Sequence, residues 1–109
     1  MSKFEITFYL NRNGKNQVLD FINELPIKDQ TKIFWTIDLL SMYGRSLKYP
    51  YLKYLQGSKN IWELRSKSYR IFLSFIKEKN IILLHIIIKK TNKTPKKDIE
   101  LAEKRLNDA

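Results

Sequence analysis

Five lysines fall within nine residues, Lys89, Lys90, Lys93, Lys96 and Lys97, and two arginines, Arg65 and Arg70, precede them. Lysine and arginine neutralise phosphates and release their counterions. A guanidinium adds geometry, clamping a phosphate by two parallel hydrogen bonds and stabilising charge as it builds on the phosphoryl oxygens. Charge alone has a plainer reading, a solvated turn with ordinary surface lysines. Against it, Lys96 and Lys97 stand at a helix start, where cations oppose the helix dipole. The two arginines have the same two readings: a phosphate clamp, or solvent-facing strand residues that snorkel or pair with Glu63. Tyr49, Tyr51 and Tyr54 interleave with Lys48 and Lys53. That pattern stacks bases and holds phosphates in single-stranded RNA sites, and it also suits an edge strand. His85, between Leu84 and Ile86, is either a hydrogen-bonded core residue or a general base. Trp35 and Trp62 read as core.

Several chemistries have nothing to stand on. The 109 residues include no cysteine and one histidine, which removes disulfide scaffolds and most zinc or histidine-cluster sites. No Gly-rich phosphate loop, Ser-His-Asp order or paired-carboxylate spacing is present. No metal or cofactor is expected. Lysine and arginine number 21 against 11 acidic residues, a formal net charge of +10. An excess of that size points to a polyanion or an acidic protein partner. The surplus is net +3 over residues 1–57 (8 basic, 5 acidic) and net +7 over residues 58–109 (13 basic, 6 acidic). No apolar run approaches the roughly 18 residues of a membrane span, and Met1-Ser2-Lys3-Phe4-Glu5 lacks an apolar signal core. A single cytoplasmic domain over 1–109, without membrane contact, is expected.

The elements that must position these residues follow from periodicity. Lys3 to Leu10 alternates as a strand and ends at the Asn13-Gly14 turn signal. Val18, Phe21, Ile22 and Leu25 make one helical stripe over Gln17 to Leu25, broken by Pro26. Lys28 to Tyr43 is a longer helix with Ile33, Ile37 and Leu40 on one face, Phe34 beside them, and Gly44 as its C-terminal cap. Residues 45–60 carry no clear period. Three strands follow, Ile61 to Arg65, Tyr69 to Phe75 and Asn80 to Ile88, joined by hairpin-length connections. Thr94 is placed as N-cap with Pro95 at the first helical position, and the last helix runs to about Leu106. The expected fold is α+β, ordered β-α-α-β-β-β-α. An antiparallel sheet of about four strands would carry its helices mainly on one face. Alternation puts Glu63 and Arg65 on one side of their strand, and antiparallel pairing would let Arg65, Arg70 and the lysines at the third strand's end converge.

The runs Ile61-Trp62-Glu63-Leu64-Arg65, Tyr69-Arg70-Ile71, Leu83-Leu84-His85 leading to Lys89-Lys90-Thr91, and Lys93-Thr94-Pro95 before Ile99-Glu100-Leu101-Ala102 closely resemble the phage-derived Gp49-like branch of the RelE/HigB toxin superfamily. The resemblance covers nearly the whole chain. It implies a RelE-like fold and a small basic toxin of a type II toxin–antitoxin pair. Most such toxins enter the ribosomal A site and cut messenger RNA. It further implies a helix-turn-helix antitoxin, through which alone the pair would contact operator DNA. RNA can be cut without metal when its own 2′-hydroxyl attacks the adjacent phosphate, so the protein must orient that attack and stabilise the phosphorane. In this reading Arg70 matches the strand arginine used against the scissile phosphate, with Arg65 in support. Lys89 and Lys90 complete the catalytic set. Lys93, Lys96, Lys97 and Lys53 hold RNA. Relatives take their general base from His, Asp or a C-terminal Tyr; this chain ends Asn107-Asp108-Ala109, and the base stays unassigned. A same-fold alternative is a toxin that binds DNA gyrase without nuclease chemistry.

Overall fold

The apolar strands expected after residue 60 form the middle of a five-stranded mixed sheet in the computed structural model, which describes residues 3–109. Met1 and Ser2, the start of the segment read for a leader, lie outside them. The elements are β1 (Glu5–Phe8), α1 (Gln17–Asn23), α2 (Ile27–Tyr43), β2 (Leu52–Tyr54), β3 (Trp62–Ser66), β4 (Tyr69–Ile76), β5 (Asn80–Ile88) and α3 (Lys96–Asp108). The sheet order is β1-β5-β4-β3-β2. Strands β2 to β5 are antiparallel neighbours. Two features differ from the expected sheet. A short edge strand, β2, forms within residues 45–60, where the Tyr–Lys interleaving suited an edge strand but no strand was counted in the sheet. β1 joins β5 in parallel, from Glu5 beside Asn80 to Phe8 beside Leu83.

Both faces of the central strands are covered, which is why β5 reads as an apolar run interrupted only by His85. On one face α1 and α2 bury Val18, Ile22, Ile33, Ile37 and Leu40 against Leu64, Ile71, Leu73 and Leu83. On the other, α3 lays Ile99, Ala102 and Leu106 over Ile61, Phe72, Ile82 and Leu84. Two helices thus share a face, as expected, and the third takes the opposite one. Asn16 caps α1 by accepting from Leu19 N–H at 3.0 Å. Gly44 ends α2 at φ +54°, and a Cβ there would run into the Phe4 ring. Only glycine fits that junction.

α2 also fixes the β3–β4 hairpin. Asp29, in its first turn, accepts from Lys67 Nζ and Tyr69 Oη, both at 2.7 Å. The Thr36 and Ser66 hydroxyls meet at 2.9 Å. Together with the tight turn at Lys67 (φ +54°), these contacts hold Arg65 directly opposite Arg70. Trp35 departs from its core reading: it is 46% exposed, as is Phe34 at 38%. Trp62 is half-buried against the core with its ring edge-on to Tyr54 and Phe75.

Candidate nucleic-acid interface

Cross-strand partners project from the same face of a sheet, so register turns separate strand residues into rows. One row on the α3 face runs Lys53, Glu63, Phe72, His85. The next runs Arg65, Arg70, Ile87. The segment 89–95 leaves β5 with Lys89 N–H donating to Ser68 C=O at 2.7 Å. It returns to the sheet where the Thr94 hydroxyl donates to Glu63 Oε2 at 2.7 Å. Between those anchors it crosses β4, the strand that carries Arg70. Thr94 therefore ties this segment down instead of capping α3, whose N-cap is Pro95.

Arg70 is not solvent-facing as the sequence suggested: it is 9% exposed. Its Nη1 donates to the carbonyls of Lys67 (2.8 Å) and Tyr69 (2.9 Å), while its Nε is buried without a partner. Loss of water around the guanidinium, followed by the repulsion of Arg65, lowers its pKa from the usual arginine value, and Glu63 offsets part of this. Among the described residues no carboxylate lies within 4 Å of either guanidinium. Glu63, 3% exposed, is engaged by Thr94 and pairs with neither arginine. Arg65 remains half-buried, with its guanidinium 5.9 Å from the Tyr49 ring centroid.

The lysines divide. Lys53, Lys89, Lys93 and Thr94 line a hollow of about 330 Å³ beside β2. Lys89, Lys90 and Lys97 line a second of about 360 Å³ with Ile87 and Asp98. Lys89 belongs to both, so the hollows are neighbours on either side of the 89–95 segment. Lys96 turns away, towards Gln56–Lys59. The structure thus brings Arg65, Arg70, Lys53, Lys89 and Lys93 onto one face, sets Lys90 and Lys97 at its margin, and separates Lys96. The described residues contain no cluster of His, Cys, Asp and Glu suited to a metal ion.

Two connections were not legible beforehand. Glu63–Thr94 joins residues 31 apart in sequence, and nothing local marks it. His85 Nε2 lies 2.8 Å from Asp98 Oδ1, with the imidazole stacked on Phe72 (5.7 Å, 20°). Burial lowers the His85 pKa from its ordinary 6.5; Asp98 pulls the other way, and Arg105 adds to the lowering. The imidazole is therefore neutral at pH 7 and donates from Nε2 to the Asp98 carboxylate. The hydrogen-bonded core reading describes this side chain.

Residues 20–107 match the family described as Phage derived protein Gp49-like (DUF891). No curated protein matches the sequence. Among solved structures, the toxin–antitoxin complex RelBE2 from Mycobacterium tuberculosis is similar at 15% identity and a TM-score of 0.47, over 82% of this chain and 94% of that one.

Proposed function

The chain belongs to the phage-derived Gp49-like family, a RelE-like toxin family, and from that premise we propose that it cuts messenger RNA in the ribosomal A site and is held inactive by a helix-turn-helix antitoxin. The observation that carries the reading is the Arg65–Arg70 pair. Two like charges face each other across a strand pair, an arrangement that destabilises a sheet. One of them is buried with a bare Nε. A phosphate at that position supplies the missing anion.

In the cleavage step the RNA's 2′-hydroxyl attacks the adjacent phosphorus as the bond to the 5′-oxygen breaks; the 2′-hydroxyl's proton passes to solvent water and the 5′-oxygen takes one from water, leaving a 2′,3′-cyclic phosphate and a free 5′-hydroxyl. Arg70 and Arg65 stabilise the charge that grows on the equatorial oxygens. Lys53, Lys89 and Lys93 hold the backbone on either side, with Lys90 and Lys97 at the margin, and this holds the 2′-oxygen in line. No resident metal is required.

The test is induced expression followed by mapping of messenger RNA 5′ ends. The wild-type chain should produce new ends in phase with codons, only in translated transcripts. Arg70→Ala should abolish them, with cleavage reduced on the order of 10²–10³-fold, while circular dichroism stays native. Growth arrest with intact messages, or a fully toxic Arg70→Ala chain, would overturn the reading.

A further inference from the structure

Resting on that reading, which requires a neutralising partner, we propose that the antitoxin docks on the outer face of α2 through an acidic amphipathic helix. Eight large hydrophobic side chains are exposed among the described residues, and five of them belong to α2: Ile27, Phe34, Trp35, Met42 and Tyr43. They are not scattered. Ile27, Thr31, Phe34, Asp38 and Met42 follow one another at steps of three and four residues, the seam spacing by which one helix receives another. The opposite side of α2, Ile33, Thr36, Ile37 and Leu40, is already spent on the sheet. An apolar stripe of this kind on a small soluble chain marks an interaction surface.

Charge selects the occupant. Lys28 flanks the stripe, and Lys32 holds its ammonium 4.0 Å from the centroid of the Trp35 ring. Asp38 is the single acid on the seam. A second copy of this +10 chain would press these cations against their own kind, so an acidic partner fits and self-pairing does not. RNA is disfavoured because α2 covers the sheet face opposite Arg65 and Arg70. The separation also makes the two surfaces independent to mutation.

The test co-expresses the chain with the protein encoded by the adjacent gene. Ile27→Glu combined with Met42→Glu, both at highly exposed positions (73% and 44%), should leave the chain toxic but no longer rescued, with affinity for that protein at least tenfold weaker. A second measurement needs no surviving variant activity. Adding the same protein to the wild-type chain should shift Trp35 emission to the blue, and Trp35→Phe, which keeps Trp62, should lose that shift. Full rescue of the double variant, or an unchanged Trp35 signal on binding, overturns the proposal. So does a Trp35 shift produced by single-stranded RNA, or by self-association, in place of the antitoxin. If the wild-type chain arrests no growth, the nuclease reading falls, while the Trp35 signal still decides the docking surface.

Discussion

A guanidinium that gives up water without meeting a carboxylate keeps its charge at a free-energy cost, because burial disfavours the charged form. Arg70 bears that cost with two carbonyls and a bare Nε, opposite a second arginine. His85 answers the same penalty by shedding its proton instead. Because its pKa is lowered in the fold by burial, the unfolded chain binds more protons between the two values. The stability contributed by neutral His85 is complete above its ordinary value of 6.5 and is lost as pH falls through the lower folded value. Asp98 limits the loss by favouring the imidazolium; Arg105 works against it. His85 is the only histidine in the chain, so urea midpoints should decline as pH falls below the ordinary value of 6.5, and His85→Gln should flatten that slope. An unchanged slope in the variant would show that the imidazole does not titrate with unfolding.

At the level of elements, the fold works by tying short, exposed pieces to well-buried ones. The segment 89–95 carries Lys89 and Lys93, and its anchor on β3 is Thr94 to Glu63. Thr94→Val should leave the buried Glu63 carboxylate without its donor, destabilise the chain by about 1–3 kcal/mol, and slow cleavage roughly ten- to a hundredfold as the lysines lose their position. Urea unfolding and a cleavage assay on the same protein check both, and an unchanged rate would mean that the segment needs no anchor. Gly44→Ala tests the α2 terminus: its positive φ and the Phe4 ring predict a loss of about 1–3 kcal/mol in unfolding free energy with little change in site chemistry. These two sites also show what a sequence reveals. Helix stripes, Gly44, the β3–β4–β5 hairpins and the convergence of Arg65 with Arg70 all follow from local periods of two or 3.6, and were legible. β2 was legible only as the edge-strand reading of the Lys48–Tyr54 interleaving, since three residues between turns carry no period to bound it. The parallel docking of β1 on β5 joins segments some 75 residues apart in sequence, which alternation within β1 does not encode. Arg70's burial was not legible either, because alternation gives the face it shares with Arg65 but not how far its guanidinium is covered. Trp35 misled because α2 is apolar on two sides, and periodicity does not say which of them faces the sheet.

Across the whole molecule, the sheet separates two groups of the cations that make up the net charge of +10. Arg65, Arg70, Lys53, Lys89 and Lys93 gather on the α3 face, while Lys28 and Lys32 rim the apolar stripe beyond the opposite face. The first group should behave as a counterion-releasing surface. Binding to single-stranded RNA loses about 0.7 in the slope of log affinity against log salt for every phosphate neutralised, so five contacts predict a slope near −3.5. Lys93→Ala or Lys89→Ala should each reduce its steepness by about 0.7, whereas Lys28→Ala should leave it unaltered. That contrast separates a built phosphate track from a diffuse positive field, because every lysine on the surface contributes to a field but only those along the track contact phosphates. Equal changes in slope from Lys28 and Lys93 would assign RNA attraction to net charge alone, and would leave Arg65 and Arg70 facing each other without a phosphate to explain them.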